Sequence, residues 1–112
     1  MDIHQSHTNG YCRLALQGQV DASSSIKLEK AIHEVFQSGT YKLLFDCKDL
    51  EYISSAGLGV FISFLEEFRE VNGDFAFYNM RKSVLDTFQI LGLHQILHIH
   101  ASEGEAIASL DA

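Results

Sequence analysis

The chain has 112 residues, a length typical of one domain, so we expect a single domain over residues 1–112. Its 15 acidic and 8 basic residues give a formal net charge of -7, which disfavours nucleic acids and membrane surfaces as partners. We expect a cytoplasmic protein with free thiols, because the sequence has no leader-like or membrane-spanning apolar run and Cys12 and Cys47 match no zinc or redox spacing.

The first third of the chain predicts a hairpin followed by a helix. Apolar and polar residues alternate over residues 11–17, a pattern typical of a half-buried strand. Asn9-Gly10 is a strong hairpin-turn signal, so an earlier strand is expected within residues 2–7. Three serines at 23–25 offer N-caps for an amphipathic helix that ends at Ser38-Gly39. The apolar face of this helix consists of Leu28, Ala31, Ile32, Val35 and Phe36.

The rest of the chain predicts strands that alternate with helices. A continuous apolar run within residues 41–46 is typical of a strand buried on both faces. The next helix is expected to begin near Ser54 or Ser55 and to end at Asn72-Gly73. Its predicted apolar stripe comprises Leu58, Phe61, Ile62, Leu65 and Phe68. The phenylalanines of this helix, Phe64 among them, are expected in the core.

The last third predicts two short strands and two further helices. Strands are expected over residues 75–78 and 96–99, separated by a helix that Gly92 closes. The apolar stripe of that helix is predicted to contain Val84, Leu85, Phe88 and Leu91. Ser102 and Glu105 form a capping box that opens a final helix through residue 110.

The predicted order of elements is therefore β-β-α-β-α-β-α-β-α. Strands that alternate with helices are typical of an α/β layer fold with right-handed crossovers. We expect a mixed, mainly parallel sheet of four to five strands, together with about four helices.

The segment from Ser54 to Gly59 is the most informative part of the sequence. It places two hydroxyls at the start of a helix, where unpaired N–H groups and the helix dipole stabilise an anion. The segment has neither the spacing of a nucleophile elbow nor the lysine of a P-loop. These features favour a serine that is modified by another protein over a catalytic serine, with simple N-capping as the alternative.

Other candidate positions are open to a purely structural interpretation. Gly57 and Gly59 are interpreted either as close-packing positions between helix and sheet or as openings for a partner. We expect alanine at Gly57 to be tolerated and a larger residue there to block the partner. His98 and His100 share one face of a strand, but two ligands rarely make a metal site, so we expect no metal and no cofactor.

The chain resembles the STAS domains, and among them the free-standing bacterial anti-sigma factor antagonists. The most specific match is Asp49 to Val60, which reads DLEYISSAGLGV and corresponds to the phosphorylation-site segment of the family. Gly18-Gln19-Val20-Asp21 matches a Gly-Glu-Leu-Asp pattern, and Leu91-Gly92-Leu93 with residues 102–110 matches the tail. The resemblance extends over about residues 11–110.

This resemblance implies a non-enzymatic switch protein with a single STAS domain. Its partner would be an anti-sigma factor that is also a serine kinase, bound by the unphosphorylated chain, and a serine phosphatase would reverse the modification. Alignment on Gly57-Leu58-Gly59 implies that Ser55 is the phosphorylated residue, although many members have Asp where this chain has Ser54. The implied partner-binding residues are Asp21, Ser54, Ser55, Ala56, Gly57 and Leu58.

Two alternatives to this function remain at the level of sequence. One is a constitutive STAS interaction subunit of a transport complex, whose serine loop binds a partner and is never modified. The other is a small-ligand or nucleotide-binding domain, which the segment disfavours because no basic residue accompanies its glycines. Asp21 is likewise open to two interpretations, as an interface residue or as a cap of the first helix.

Overall fold

The computed structural model describes residues 1–111, which form five strands and four α-helices in the predicted order. The first half contains β1 (Asp2–Thr8), β2 (Tyr11–Val20), α1 (Ser25–Gln37) and β3 (Lys42–Ile53). The second half contains α2 (Ser55–Glu70), β4 (Asp74–Tyr78), α3 (Lys82–Ile90), β5 (His98–His100) and α4 (Glu103–Asp111). A short 3₁₀ turn, Leu93–Gln95, lies between α3 and β5.

The five strands form one sheet in the order β1-β2-β3-β4-β5. Strand β1 is antiparallel to β2, and every other neighbouring pair is parallel, so the predicted mixed and mainly parallel sheet is confirmed. The β1–β2 hairpin turns at Asn9 and Gly10, whose φ angles of 46° and 85° are both positive. Two positive φ angles at the centre of a two-residue loop are typical of a type I′ turn, which Asn-Gly favours.

The helices cover the two faces of the sheet unequally. Successive right-handed crossovers between neighbouring strands bring α1, α2 and α3 to one face. The main core lies beneath these helices, and its centre is aromatic: the ring of Phe61 lies 5.0 Å from that of Phe45 and 4.8 Å from that of Phe77. A smaller cluster lies on the face that α4 covers and consists of Tyr11, Leu44, Ala76, Tyr78, Ala106 and Leu110.

Three predicted details of the helices and strands differ from the structure. Strand β3 does not end at Asp46 but continues to Ile53, because its second half still pairs with β2 through two register shifts. Ile62 and Leu91, predicted on apolar stripes, are exposed, whereas Phe61, Phe64 and Phe68 are buried as expected. Strand β5 begins two residues later than predicted, because the chain first passes through the 3₁₀ turn.

None of the helices within residues 1–111 has the length and apolar character needed to cross a membrane.

Candidate functional site

The extension of β3 brings Asp21 and the serine segment to the same edge of the sheet. Val20 pairs with Ile53 at the carboxyl ends of β2 and β3. One residue further on, the backbone N–H of Ser54 donates to the carbonyl oxygen of Val20 at 2.8 Å. Carboxyl ends of parallel strands are where α/β proteins commonly place their functional groups. Asp21 and Ser54 therefore begin two adjacent connections at this edge.

The two serines have different roles at the start of α2. Ser54 has an extended backbone, with φ -86° and ψ 170°, and its Oγ accepts a hydrogen bond from the N–H of Gly57 at 3.3 Å. Its carbonyl oxygen accepts from the N–H of Leu58 at 3.0 Å. Ser54 is thus the N-cap of α2 and is half-buried, whereas Ser55 is the first helical residue and is exposed.

The following residues alternate between surface and core. Ala56 and Gly59 are exposed beside Ser55, whereas Gly57 is buried. Leu58, expected on the partner-binding surface, instead packs in the main core and is only 3% exposed. It lies on the side of α2 that faces the sheet, so its packing holds the start of α2 against the sheet and leaves Leu58 inaccessible to a partner in this conformation.

The two glycines of the segment have different surroundings. A Cβ atom built on Gly57 would lie 2.7 Å from Cγ1 of Val20 and 2.8 Å from Cγ1 of Ile53, both of which belong to buried side chains. A Cβ atom on Gly59 would meet nothing within 4 Å. Gly57 therefore permits the close approach of α2 to the sheet, and this packing argues against the expectation that alanine is tolerated there. Gly59 leaves the surface next to Ser55 open.

Asp21 caps the turn that leads into α1. Its Oδ1 accepts hydrogen bonds from the backbone N–H groups of Ser23 at 3.0 Å and Ser24 at 2.9 Å. The same oxygen accepts from the hydroxyl of Ser23 at 2.9 Å. These bonds, with those of Ser24 foremost, lower the pKa of Asp21 to about 2, so the side chain is a carboxylate at neutral pH. Asp21 thus caps only the turn that precedes α1, because the N-cap of the helix itself is Ser24, and the interpretation of Asp21 as the cap of the first helix does not hold. The carboxylate stays exposed at the edge of the site.

Two apolar residues near Ser55 are exposed, although the sequence did not indicate that they lie at the surface. Tyr52, close to the end of β3, is 52% exposed, and Ile62 on α2 is 44% exposed. Ser55, Gly59 and Ile62 follow the spacing i, i+4, i+7, so they lie on one face of α2. The helical spacing was visible in the sequence, but it did not show which side of the broad apolar stripe faces solvent. We call the three residues Ser55, Gly59 and Ile62 the Ser55 face.

The described part of the chain assembles few catalytic groups around the serines. Across residues 1–111, no three His, Cys, Asp or Glu side chains come together as a set able to hold a metal ion. His98 is partly exposed, and its Nε2 lies 3.0 Å from Oδ2 of Asp74. That pair lies at the amino ends of β4 and β5, opposite the edge that carries Ser55. What the site offers chemically is an exposed hydroxyl in the positive field of a helix N-terminus.

Comparison with known proteins gives matches over nearly the whole chain. The sequence profile of the STAS domain family matches residues 2–106. An anti-sigma-B factor antagonist of Listeria monocytogenes is 30% identical over 89 residues, which cover 79% of this chain and 77% of the relative. The anti-sigma-B factor antagonist of Bacillus subtilis is 29% identical over 105 residues, which cover 93% of this chain and 94% of the relative.

Solved structures with the same fold include both forms of SpoIIAA. The unphosphorylated form of this anti-sigma factor antagonist matches with a TM-score of 0.81 and 21% identity, covering 98% of this chain and 96% of that chain. The phosphorylated form of SpoIIAA, described as a Bacillus cell fate determinant, matches with a TM-score of 0.72 and 22% identity. That match covers 96% of this chain and 98% of that chain.

Proposed function

Because this chain belongs to the STAS domain family, we propose that it is an anti-sigma factor antagonist controlled by phosphorylation of Ser55. Its unphosphorylated form binds an anti-sigma factor that is also a serine kinase, and so releases the other protein held by that factor. The relatives named anti-sigma-B factor antagonists support the first part of the proposal. The observation that carries the second part is the exposed Ser55 hydroxyl at the first turn of α2.

Ser55 is a better phosphate acceptor than its neighbour Ser54 on geometric grounds. The Ser54 oxygen accepts a hydrogen bond from the N–H of Gly57 as the N-cap of α2, so phosphorylation there would disturb the start of the helix. The Ser55 hydroxyl stands at the surface next to Ala56 and Gly59, two small exposed residues that leave room for a nucleotide phosphate. The existence of SpoIIAA in both unphosphorylated and phosphorylated forms supports such a modification in a protein of this fold.

The charge that phosphorylation adds would act at the interface and would leave the fold unchanged. A phosphoserine carries about -1.5 to -2 charges at neutral pH. At the first turn of α2 this charge is favourably placed, because the dipole and the free N–H groups of a helix start stabilise anions. Against a partner, however, the same charge must lose its water and find a counter-charge. Phosphorylation is therefore expected to release the partner without unfolding the domain.

The proposal gives the chain a regulatory role and assigns it no catalysis. The kinase supplies the transferred phosphate, a serine phosphatase removes it, and the chain presents only the acceptor hydroxyl. Asp21 and the Ser55 face, with Tyr52 beside them, form the surface that contacts the partner. A cytoplasmic location and the absence of nucleic-acid or membrane partners belong to the same proposal, consistent with the net charge of -7.

The phosphorylated residue can be identified directly. We expect incubation with the cognate kinase and ATP to add one phosphate, and peptide mapping to find it on Ser55. Ser55→Ala should abolish the transfer, whereas Ser54→Ala should retain it, since loss of the cap costs about 1 kcal/mol and leaves the acceptor in place. Phosphate on Ser54 alone would overturn the assignment. No phosphate in the segment would instead favour the constitutive interaction subunit.

A further inference from the structure

The β1 strand is an open edge of the sheet. Its seven residues, Asp2–Thr8, pair with β2 in one unbroken antiparallel register, from Asp2 opposite Gln17 to Thr8 opposite Tyr11. Within residues 1–111, the other side of β1 pairs with no strand. The opposite edge of the sheet is β5, which has only three residues. The long free row of backbone hydrogen-bonding groups is therefore on β1.

This edge lacks the usual features that prevent strands from pairing with other chains. Edge strands are commonly protected by lysine, proline, a bulge or a very short length. Strand β1 reads DIHQSHT and contains neither lysine nor proline, and Asp2 is its one carboxylate. Its register is regular, since the two shifts in the sheet lie between β2 and β3. By this criterion β1 is able to accept another strand.

The helix above β1 adds a charge pattern that points to the occupant. A groove between β1 and α1 is lined by Ile3, Gln5, Lys27, Lys30, Ala31 and Glu34. Lys27 lies toward the start of α1 and Glu34 toward its end, two turns apart on the same side of the helix. The charged residues on this side of α1 form a stripe along the helix. Nζ of Lys27 donates to the carbonyl oxygen of Met1 at 2.8 Å, which places the basic end of the stripe above the start of β1. With Lys30 between its ends, the stripe is basic over its first half and acidic at Glu34.

We propose that the occupant of this edge is a second copy of the chain, paired antiparallel through β1. A two-fold axis perpendicular to the sheet would pass beside Gln5, the middle residue of the strand. Ile3 of one copy would lie opposite His7 of the other, on the side of the sheet that α1 covers. The two five-stranded sheets would then form one continuous sheet, with every backbone group in the centre of the new ladder paired.

The same symmetry makes the α1 stripes complementary. Helix α1 runs back along β2, so it is roughly parallel to β1, and antiparallel β1 strands bring two antiparallel α1 helices together. Lys27 of each copy then faces Glu34 of the other, whereas a parallel arrangement would place like charges together. A chain with a net charge of -7 repels its own copies over most of its surface, so a locally complementary stripe favours this edge over the others.

The proposed dimer leaves the Ser55 face free. Ser55 lies at the carboxyl end of β3, two strands away from β1 in the sheet. The two-fold axis would place the two Ser55 faces at opposite ends of the continuous sheet, where each is able to bind its own partner. Dimerisation through β1 can therefore be tested independently of the phosphorylation of Ser55.

Sedimentation equilibrium over a dilution series of the unphosphorylated chain tests the proposal. We expect a species of twice the 12.5 kDa chain mass at the upper concentrations, in equilibrium with monomer. Gln5→Lys should weaken the dimer by about tenfold or more, because it brings two ammonium groups together at the axis. The matched control is Gln95→Lys, the same change at an exposed position outside β1 and α1, and it should leave the dimer unchanged.

A charge exchange tests the antiparallel arrangement itself. Lys27→Glu and Glu34→Lys should each weaken the dimer by about tenfold, since each change creates two like-charge pairs, and the double exchange should restore it to within about threefold. Thermal melts would verify that all variants are folded. A monomer at every concentration would overturn the proposal, as would a dimer insensitive to Gln5→Lys. Failure of the double exchange to restore association would overturn the antiparallel pairing and the proposal with it.

Discussion

Ser55→Asp is expected to weaken binding of the kinase partner by about tenfold or more, while the domain keeps its fold. A carboxylate at the first turn of α2 is compatible with the helix dipole, which contributes roughly 0.3–1 kcal/mol in its favour. At the interface the same carboxylate must be desolvated, and that cost has no compensation unless the partner supplies a cation. Calorimetric titration against the partner, together with a thermal melt, measures both effects.

Ser63→Asp is the matched control for this substitution. Ser63 is an exposed serine on the same helix, two turns beyond Ser55, and its Oγ donates to the carbonyl oxygen of Val60 at 2.8 Å. The change adds the same charge to α2 without placing it at the helix start. We expect nearly unaltered affinity for this control. Equal affinity of Ser55→Asp and the unmodified chain, or a Ser55→Asp protein that does not fold, would contradict the account.

The second large effect is expected at Gly57. Gly57→Ala should lower the free energy of unfolding by about 1–3 kcal/mol, because the new methyl group would overlap the buried side chains of Val20 and Ile53. The gain of up to about 1 kcal/mol in helix propensity offsets only part of this cost. Each kcal/mol corresponds to a fall in melting temperature of roughly 4–8 °C for a domain near this size.

Gly59→Ala is the internal control, because it changes the same residue type half a turn away. The Cβ atom at position 59 meets nothing within 4 Å, so only the propensity gain remains and the melting temperature should hold or rise. Thermal melts of both variants under identical conditions make the comparison. If Gly57→Ala melts like Gly59→Ala and yet fails to bind the partner, the glycine serves access and the packing explanation is wrong.

The order of the elements was predictable, because it depends on local patterns. Hydrophobic periodicity and the turn signals at Asn9-Gly10 and Gly92 are enough to separate strands from helices. The true end of β3 was not predictable in this way. Residues 47–53 include charged side chains, and they remain in the strand because β2 continues to pair with them through two register shifts.

The composition of the site was predictable, but its geometry was not. The pair Ser54 and Ser55 signals a helix start. Which of the two hydroxyls caps the helix depends on whether the helix begins one residue earlier or later, and the sequence determines helix boundaries only weakly. Leu58 and Ile62 have the same apolar character, and only the position of α2 against the sheet decides that Leu58 is buried and Ile62 exposed. The tightness at Gly57 arises from two side chains on two strands, far apart in the sequence.

One phosphate on Ser55 is expected to decide whether the partner is bound. The most direct test is to measure the affinity of a single preparation for the anti-sigma factor in three states: unmodified, phosphorylated by the kinase, and treated with a serine phosphatase. We expect tight binding in the first state, a loss of about tenfold or more in the second, and recovery in the third. Equal affinity in all three states, with the phosphate verified by intact mass, would contradict the account.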